Sequence, residues 1–174
     1  MSMHKTVFFD RVATSLGTMV LASDGEAMTG AWFDGQRHQP PVDASWQEQR
    51  GLAILRQAEA ELVEYFAGGR TVFSLPLSPV GTPFQRDVWR GIAGVSYGKT
   101  IAYRDLAARI ERPGSIRAAG AATGRNPLSI VVPCHRIVGA DGALTGYAGG
   151  LERKRTLLAL EHRGGVAPAI RRAA

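Results

Sequence analysis

The chain of 174 residues contains a single cysteine and only four histidines. One cysteine cannot close an intramolecular disulfide, and no Cys-x-x-Cys or His-x-x-x-His spacing offers a zinc site, so neither bond type holds this fold together. Long apolar runs are missing as well. Nothing approaches the roughly eighteen uncharged apolar residues of a membrane span. The N-terminal stretch MSMHKTVFFDR lacks the apolar segment and small-residue cleavage site of a signal peptide, which sets the expectation of a cytoplasmic protein without membrane contact.

What is present is enough for a core: 45% of the residues are apolar, which suits one ordinary domain or two small ones. The net charge of +6 is unevenly spread. Residues 1–83 carry six Lys and Arg against nine Asp and Glu, a net of −3. Residues 84–163 carry thirteen against six, a net of +7, and Arg171 and Arg172 supply the remainder. A cationic second half suits a polyanionic partner, because basic side chains displace the counterions of a nucleic acid. Solubility alone would also account for it.

The pattern of residues predicts an α+β fold. KTVFFDRV, TMVLAS and AMTGAWF, separated by turn signals at Asp24-Gly25 and Asp34-Gly35, read as a small antiparallel sheet. Leu52, Leu55, Leu62, Tyr65 and Phe66 fall near helical spacing within Gln47 to Ala67. The stretch Ser74 to Pro83, with Pro76, Pro79 and Pro83, reads as extended. These features predict an N-terminal sheet-plus-helix domain over residues 1–75, a linker over 76–83, a C-terminal helical domain over 84–163 and a frayed tail over 164–174. Thr82-Pro83-Phe84-Gln85 is a capping box with proline at the first helical position, opening a helix to about Gly94. Two short helices follow, Tyr103 to Ile110 and Ser115 to about Thr123, joined by a turn at Arg112-Pro113-Gly114. That is the outline of a helix-turn-helix, although most such pairs are only packed helices. Ala118, Ala119, Gly120, Ala121 and Ala122 give the second of these helices a small-residued face, flanked by Arg117 and Arg125. Such a face lets a helix approach another helix or a DNA groove closely.

After Asn126-Pro127, the apolar Ile130-Val131-Val132 reads as a short strand, followed by Pro133-Cys134-His135-Arg136-Ile137-Val138. A lone cysteine after a buried strand is by default an inert core residue. Here proline breaks the strand and turns the chain at Cys134. Adjacent basic groups favour a thiolate, and His135 can supply a base.

That hexapeptide resembles the active-site motif of the O6-alkylguanine-DNA alkyltransferases, the methylated-DNA–protein-cysteine methyltransferases. The resemblance extends from Phe84 to Glu161 through Phe84-Gln85-x-x-Val88-Trp89, Tyr97-Gly98-x-Thr100-x-x-Tyr103, Arg117-Ala118, Asn126-Pro127, Gly146-Tyr147-Ala148-Gly149-Gly150 and Lys154 to Glu161. Residues 1–83 resemble the family only in size and element pattern. The resemblance implies that Cys134 accepts an alkyl group permanently from O6-alkylguanine in double-stranded DNA, with no cofactor and with the chain acting as a monomer. His135 would deprotonate Cys134 through a water, Glu161 would orient His135, and Asn126 would brace the turn before the cysteine. Tyr103 would donate to guanine N3, and the carbonyls of Cys134 and Ile137 would accept from the exocyclic amine. Tyr147 would wall the pocket and the Ala148 N–H would meet O6. Ser129, where some relatives have proline, bears on how large an alkyl group enters. The family's helix-turn-helix enters the minor groove, where Ala118, Ala119, Ala121 and Ala122 would permit close contact. Arg117 would fill the stack vacated by the flipped base, and Arg125 joins the DNA-facing set.

Three other readings use the same residues. A lesion-binding protein without transfer is disfavoured by the cysteine at the acceptor position. A cysteine hydrolase or redox sensor would turn over rather than stop at one equivalent. A zinc base deaminase is excluded, because Pro133-Cys134 is not followed by a second cysteine.

Overall fold

In a computed structural model that describes residues 6–164, the first half of the chain begins as a meander of β1 (Val7–Thr14), β2 (Gly17–Ser23) and β3 (Met28–Phe33), each antiparallel to the next. At the β2–β3 turn, Asp24 Oδ1 accepts the N–H groups of Glu26 and Ala27, and Gly25 sits at φ +103, a conformation that favours glycine. The strands are apolar on both faces because both are covered. Val12, Met19, Leu21, Ala31 and Phe33 enter the main core, whereas Phe9, Val20, Ala22 and Trp32 pack on the other face with Val42 and Trp46.

A fourth strand, β4 (Trp46–Glu48), runs parallel to β1 and completes the order β3-β2-β1-β4. The sequence pattern places Gln47 and Glu48 in the helix instead. Trp46 docks against Phe9, with ring centroids 6.0 Å apart, and this contact holds the segment extended. Helix α1 (Ala53–Phe66) therefore starts later, burying Ile54, Leu55, Ala58, Leu62, Tyr65 and Phe66 at helical spacing.

The proline-rich stretch is extended and pinned. Met28 donates to the Pro76 carbonyl and accepts from Ser78 N–H, both at 2.8 Å. Helix α2 (Pro83–Ala93) then opens on the capping box, with Gln85 N–H donating to Thr82 Oγ1 and Thr82 N–H donating to Gln85 Oε1. Such a cap contributes about 1 kcal/mol. Strand β5 (Ile101–Ala102), α3 (Tyr103–Arg109), α4 (Ile116–Gly124), β6 (Ile137–Val138) and α5 (Leu151–His162) follow, with β5 and β6 forming a two-residue parallel ladder. The buried Trp89 indole donates to the Ala122 carbonyl at 2.8 Å, fastening α2 to α4. One apolar core runs continuously from the sheet through α1 and α2 to Leu160 on α5.

Two further expectations need correction. Ile130, Val131 and Val132 are buried but are not a strand: Ile130 has φ +73, and the chain turns back so that Val132 N–H donates to the Leu128 carbonyl at 2.8 Å. An apolar run of three reports burial, and here the burial belongs to a tight turn. The face of α4 is also different. Ala119 and Ala122 are buried against the core, while Arg117, Ala118 and Ala121 are exposed. At 3.6 residues per turn a helix lying on a core must bury one stripe, so only half of its small residues can face outward. The tail beyond Gly164, with Arg171 and Arg172, and the strand start at Lys5 lie outside the described residues.

Candidate active site

Cys134 opens a 3-10 turn, Cys134–Arg136, immediately after Pro133, between the Ile130 turn and β6. Its neighbour in space is Asn126, whose side-chain amide donates to the Val132 carbonyl at 2.8 Å and to Cys134 Sγ at 3.1 Å. Asn126 Oδ1 accepts from Leu128 N–H at 3.0 Å. One buried amide thus closes the strained loop and touches the sulfur.

On the other side of Cys134 lies a cavity of about 580 Å³, lined by Tyr103, Tyr147, Ala148, Gly120, Ala121 and Arg125 among others. The Tyr103 ring rests over Gly120, and its hydroxyl donates to the Thr145 carbonyl at 3.0 Å. Tyr147 turns its hydroxyl inward, where it meets no partner at hydrogen-bonding geometry among the described residues. Its polar neighbour is Ser129, whose own hydroxyl donates to Gln36 Oε1 at 3.0 Å. The Ala148 carbonyl accepts from Arg37 N–H at 3.1 Å, so a loop of the first half supports the cavity rim. A more apolar cleft of about 520 Å³ near Trp32 and Trp46 shares only His38 and Arg125 with this cavity and is not lined by Cys134.

Behind the cysteine, wholly inside the protein, His135 Nε2 lies 2.7 Å from Glu161 Oε1. Glu161 is the most heavily bonded carboxylate among the described residues. Its Oε1 also accepts from the Tyr65 hydroxyl at 2.7 Å and from Arg136 Nη2 at 2.9 Å, and its Oε2 accepts from Arg136 Nε at 2.9 Å and Gly98 N–H at 3.2 Å. Burial alone would push this carboxyl up. The hydrogen bonds from His135 and Arg136 outweigh it and hold Glu161 well below the ordinary carboxylate range. An ionised carboxylate only accepts, so Nε2 carries the imidazole proton and Nδ1 keeps its lone pair. That Nδ1 is buried and has no hydrogen-bond partner among the described residues. Burial also pulls His135 below its ordinary pKa, beyond what the attraction of Glu161 restores, and the resting imidazole is neutral.

The thiol does not rest as the expected thiolate. Burial pushes Cys134 above its ordinary pKa, against the opposing pull of Asn126 and Lys154. The resting arrangement is a neutral thiol and a neutral imidazole whose Nδ1 lone pair is free of partners among the described residues.

Cys134, Tyr103, Tyr147, Ala148, Ala121 and Arg125 meet at the cavity. Asn126, His135 and Glu161 stand behind it, and Arg117 and Ala118 lie outside it on the exposed face of α4. Ser129 and Ile137 are buried away from the lining, and the Ile137 carbonyl, expected to meet substrate, accepts from Lys154 Nζ at 2.6 Å. Ala119 and Ala122 belong to the core. Sequence reasoning assigned no role to Arg136, Lys154, Tyr65 or Gln36. For the first two a signal existed: a charge set among apolar neighbours must find a partner. Nothing in the sequence distinguishes Tyr65 from a packing aromatic. Among the described residues no three His, Cys, Asp or Glu side chains gather as they would around a metal ion.

Residues 83–163 match the sequence family described as "6-O-methylguanine DNA methyltransferase, DNA binding domain". The chain is similar to the methylated-DNA–protein-cysteine methyltransferase of Haemophilus influenzae, with 39% identity over 89% of this chain and 86% of that one. It is similar to the enzyme of the same name from Mycolicibacterium paratuberculosis, with 43% identity over 87% and 90%. Its structure resembles that of Mycobacterium tuberculosis OGT in complex with DNA, with a TM-score of 0.84 and 38% identity, covering 91% of this chain and 94% of that one.

Proposed function

Because the chain belongs to the methylated-DNA–protein-cysteine methyltransferases, we propose that Cys134 is its alkyl acceptor, with His135 the base and Glu161 and Asn126 the groups that hold the pair in place. The reaction is DNA repair: an alkyl group passes from O6-alkylguanine in DNA to a cysteine of the protein, which is consumed. The observation that carries the residue assignment is the position of Cys134, with a cavity on one side and the Asn126 amide and the His135–Glu161 pair behind it.

The O6 atom is hidden by pairing and stacking, so the nucleotide must leave the duplex and enter the cavity between Tyr103 and Tyr147. The Cys134 proton passes to His135 Nδ1 through a bridging water. Sulfur then attacks the alkyl carbon, the bond from that carbon to O6 breaks with its electron pair going to the base, and the base is reprotonated. Tyr103 is the donor placed for N3 once it leaves the Thr145 carbonyl. Asn126 lowers the cost of the sulfur anion by donating to it at 3.1 Å. The product thioether has no leaving group that water can displace, which limits each molecule to one turnover. Ala148 N–H at O6 and Arg117 in the vacated stack complete the proposed contacts, on residues 84–163 as the DNA-facing unit, joined by 76–83 to residues 1–75. The protein would act in the cytoplasm, alongside its substrate.

The test is intact mass after incubation with duplex DNA bearing one O6-methylguanine. The expected result is a single methyl increment on Cys134, none in Cys134→Ser, and retained binding of the alkylated duplex by that variant. Multiple turnover by the wild type, or binding with no increment at all, overturns the reading.

A further inference from the structure

Glu161 is reached from the far half of the chain. The Tyr65 hydroxyl, on α1, donates at 2.7 Å to Oε1, the same oxygen that faces His135 Nε2 at 2.7 Å. The two tyrosine and glutamate positions are 96 residues apart. Tyr65 is fully buried, its ring held edge-on by Phe66 and Tyr97 and tilted against Phe73. A buried tyrosine hydroxyl needs a partner, but nothing in the packing requires that partner to be the carboxylate behind the proposed base.

We propose that Tyr65 is a positioning residue for alkyl transfer. Its hydroxyl takes up charge on the Glu161 oxygen that His135 also uses, and so limits how firmly that carboxylate can hold a second proton on the imidazole. This rests on the assignment of His135 as base. The geometry explains why such a limit is needed. A buried carboxylate at 2.7 Å favours imidazolium, which has no lone pair with which to take the Cys134 proton, and each further hydrogen bond that the carboxylate accepts weakens that pull. Arg136 already fixes the carboxylate through both oxygens, so orientation does not depend on Tyr65. Its hydroxyl acts on charge. The ionisable groups around the pair are Arg136 from the 3-10 turn, Lys154 from α5, Tyr97 from the loop after α2, Tyr147 from the loop before α5 and Cys134 itself, and of these only Arg136 donates to Glu161 Oε1 as Tyr65 does.

Tyr65→Phe keeps the ring and removes the hydroxyl. The experiment measures single-turnover transfer from an O6-methylguanine duplex between about pH 5 and pH 9 in the full chain, with thermal melting recorded alongside. The variant is expected to move the acid limb of the rate profile upward by about half to one pH unit. Transfer then slows about threefold to tenfold on that limb and changes by less than about twofold above pH 8. In a Glu161→Gln background, Tyr65→Phe should add no further displacement. An unmoved profile, a downward displacement, or an equal loss at every pH accompanied by a lower melting temperature overturns the proposal. Wild type that transfers nothing defeats the assignment of His135 and Cys134 instead, and the two failures are distinguished by that control.

Discussion

The side-chain amide of Asn126 donates to Cys134 Sγ at 3.1 Å while it holds the Val132 carbonyl at 2.8 Å, so one group both shapes the loop and contacts the sulfur. Ile130, inside that loop, is β-branched and sits at φ +73, a strained conformation that persists only because its surroundings fix it. Asn126→Ala is therefore expected to destabilise the fold by about 2–3 kcal/mol, because the Val132 carbonyl and the Leu128 N–H lose their buried partner, and to slow transfer by at least about tenfold. Urea unfolding midpoints and single-turnover rates on the same preparation check both numbers. A variant with normal stability and a normal rate contradicts the dual role.

Stability should peak between the ordinary histidine and cysteine values. His135 is held below 6.5, so as pH falls below 6.5 the unfolded chain takes up a proton that the folded chain refuses, and stability drops. Glu161, held at about 2 against an ordinary 4.5, contributes stability that is complete above 4.5 and is lost as pH falls toward 2. Cys134, held above 9.0, contributes stability present below 9.0 and lost as pH rises through its folded value. Melting temperature followed from about pH 3 to pH 10 should fall on both sides of this window. In Cys134→Ser the alkaline fall should be smaller than in wild type.

The two faces of α4 should respond oppositely to enlargement. Ala119 and Ala122 are 0% and 3% exposed, and Ala122→Leu should overpack the core by about 1–3 kcal/mol. Ala118→Leu, on the exposed face, should leave unfolding within about 0.5 kcal/mol of wild type and weaken DNA binding by closing off close approach. Calorimetry and a fluorescence binding titration on both variants decide the matter. An Ala122→Leu variant as stable as wild type would place the helix the other way round.

Arg117 stands exposed at the first turn of α4, away from the cavity, which suits a side chain acting on the duplex rather than on the base inside the pocket. If it fills the stack left by the flipped nucleotide, Arg117→Ala should slow transfer from duplex by at least about tenfold and spare transfer from the free base O6-benzylguanine, provided the cavity at Cys134 admits it. If it makes only a phosphate contact, binding to damaged and undamaged duplex should weaken alike, with a salt slope reduced by about one unit. Single-turnover rates on both substrates separate the two outcomes.

Much of this protein is a matter of neighbours along the chain. The capping box at Thr82, the Asp24-Gly25 turn, the helical spacing of Leu55, Leu62 and Phe66, the turn imposed by Pro133 and the order of motifs around Cys134 are set by residues within a few positions of one another. The sequence alone therefore determined the α+β class, the position of most elements, the cationic second half and the setting of the single cysteine. Tertiary structure decided what depends on distant segments meeting. Trp46 made a strand of residues whose composition suits a helix, because it found Phe9. Burial raised the thiol that basic neighbours were expected to ionise. Only one stripe of α4 could face outward, since the other packs on the core. Glu161 gathers Tyr65, Gly98 and the adjacent His135 and Arg136 from three separate segments, and no periodicity or spacing encodes such a meeting. The charge state of the site is set by which groups lose water together, and that is a property of the packed core, not of the order of residues.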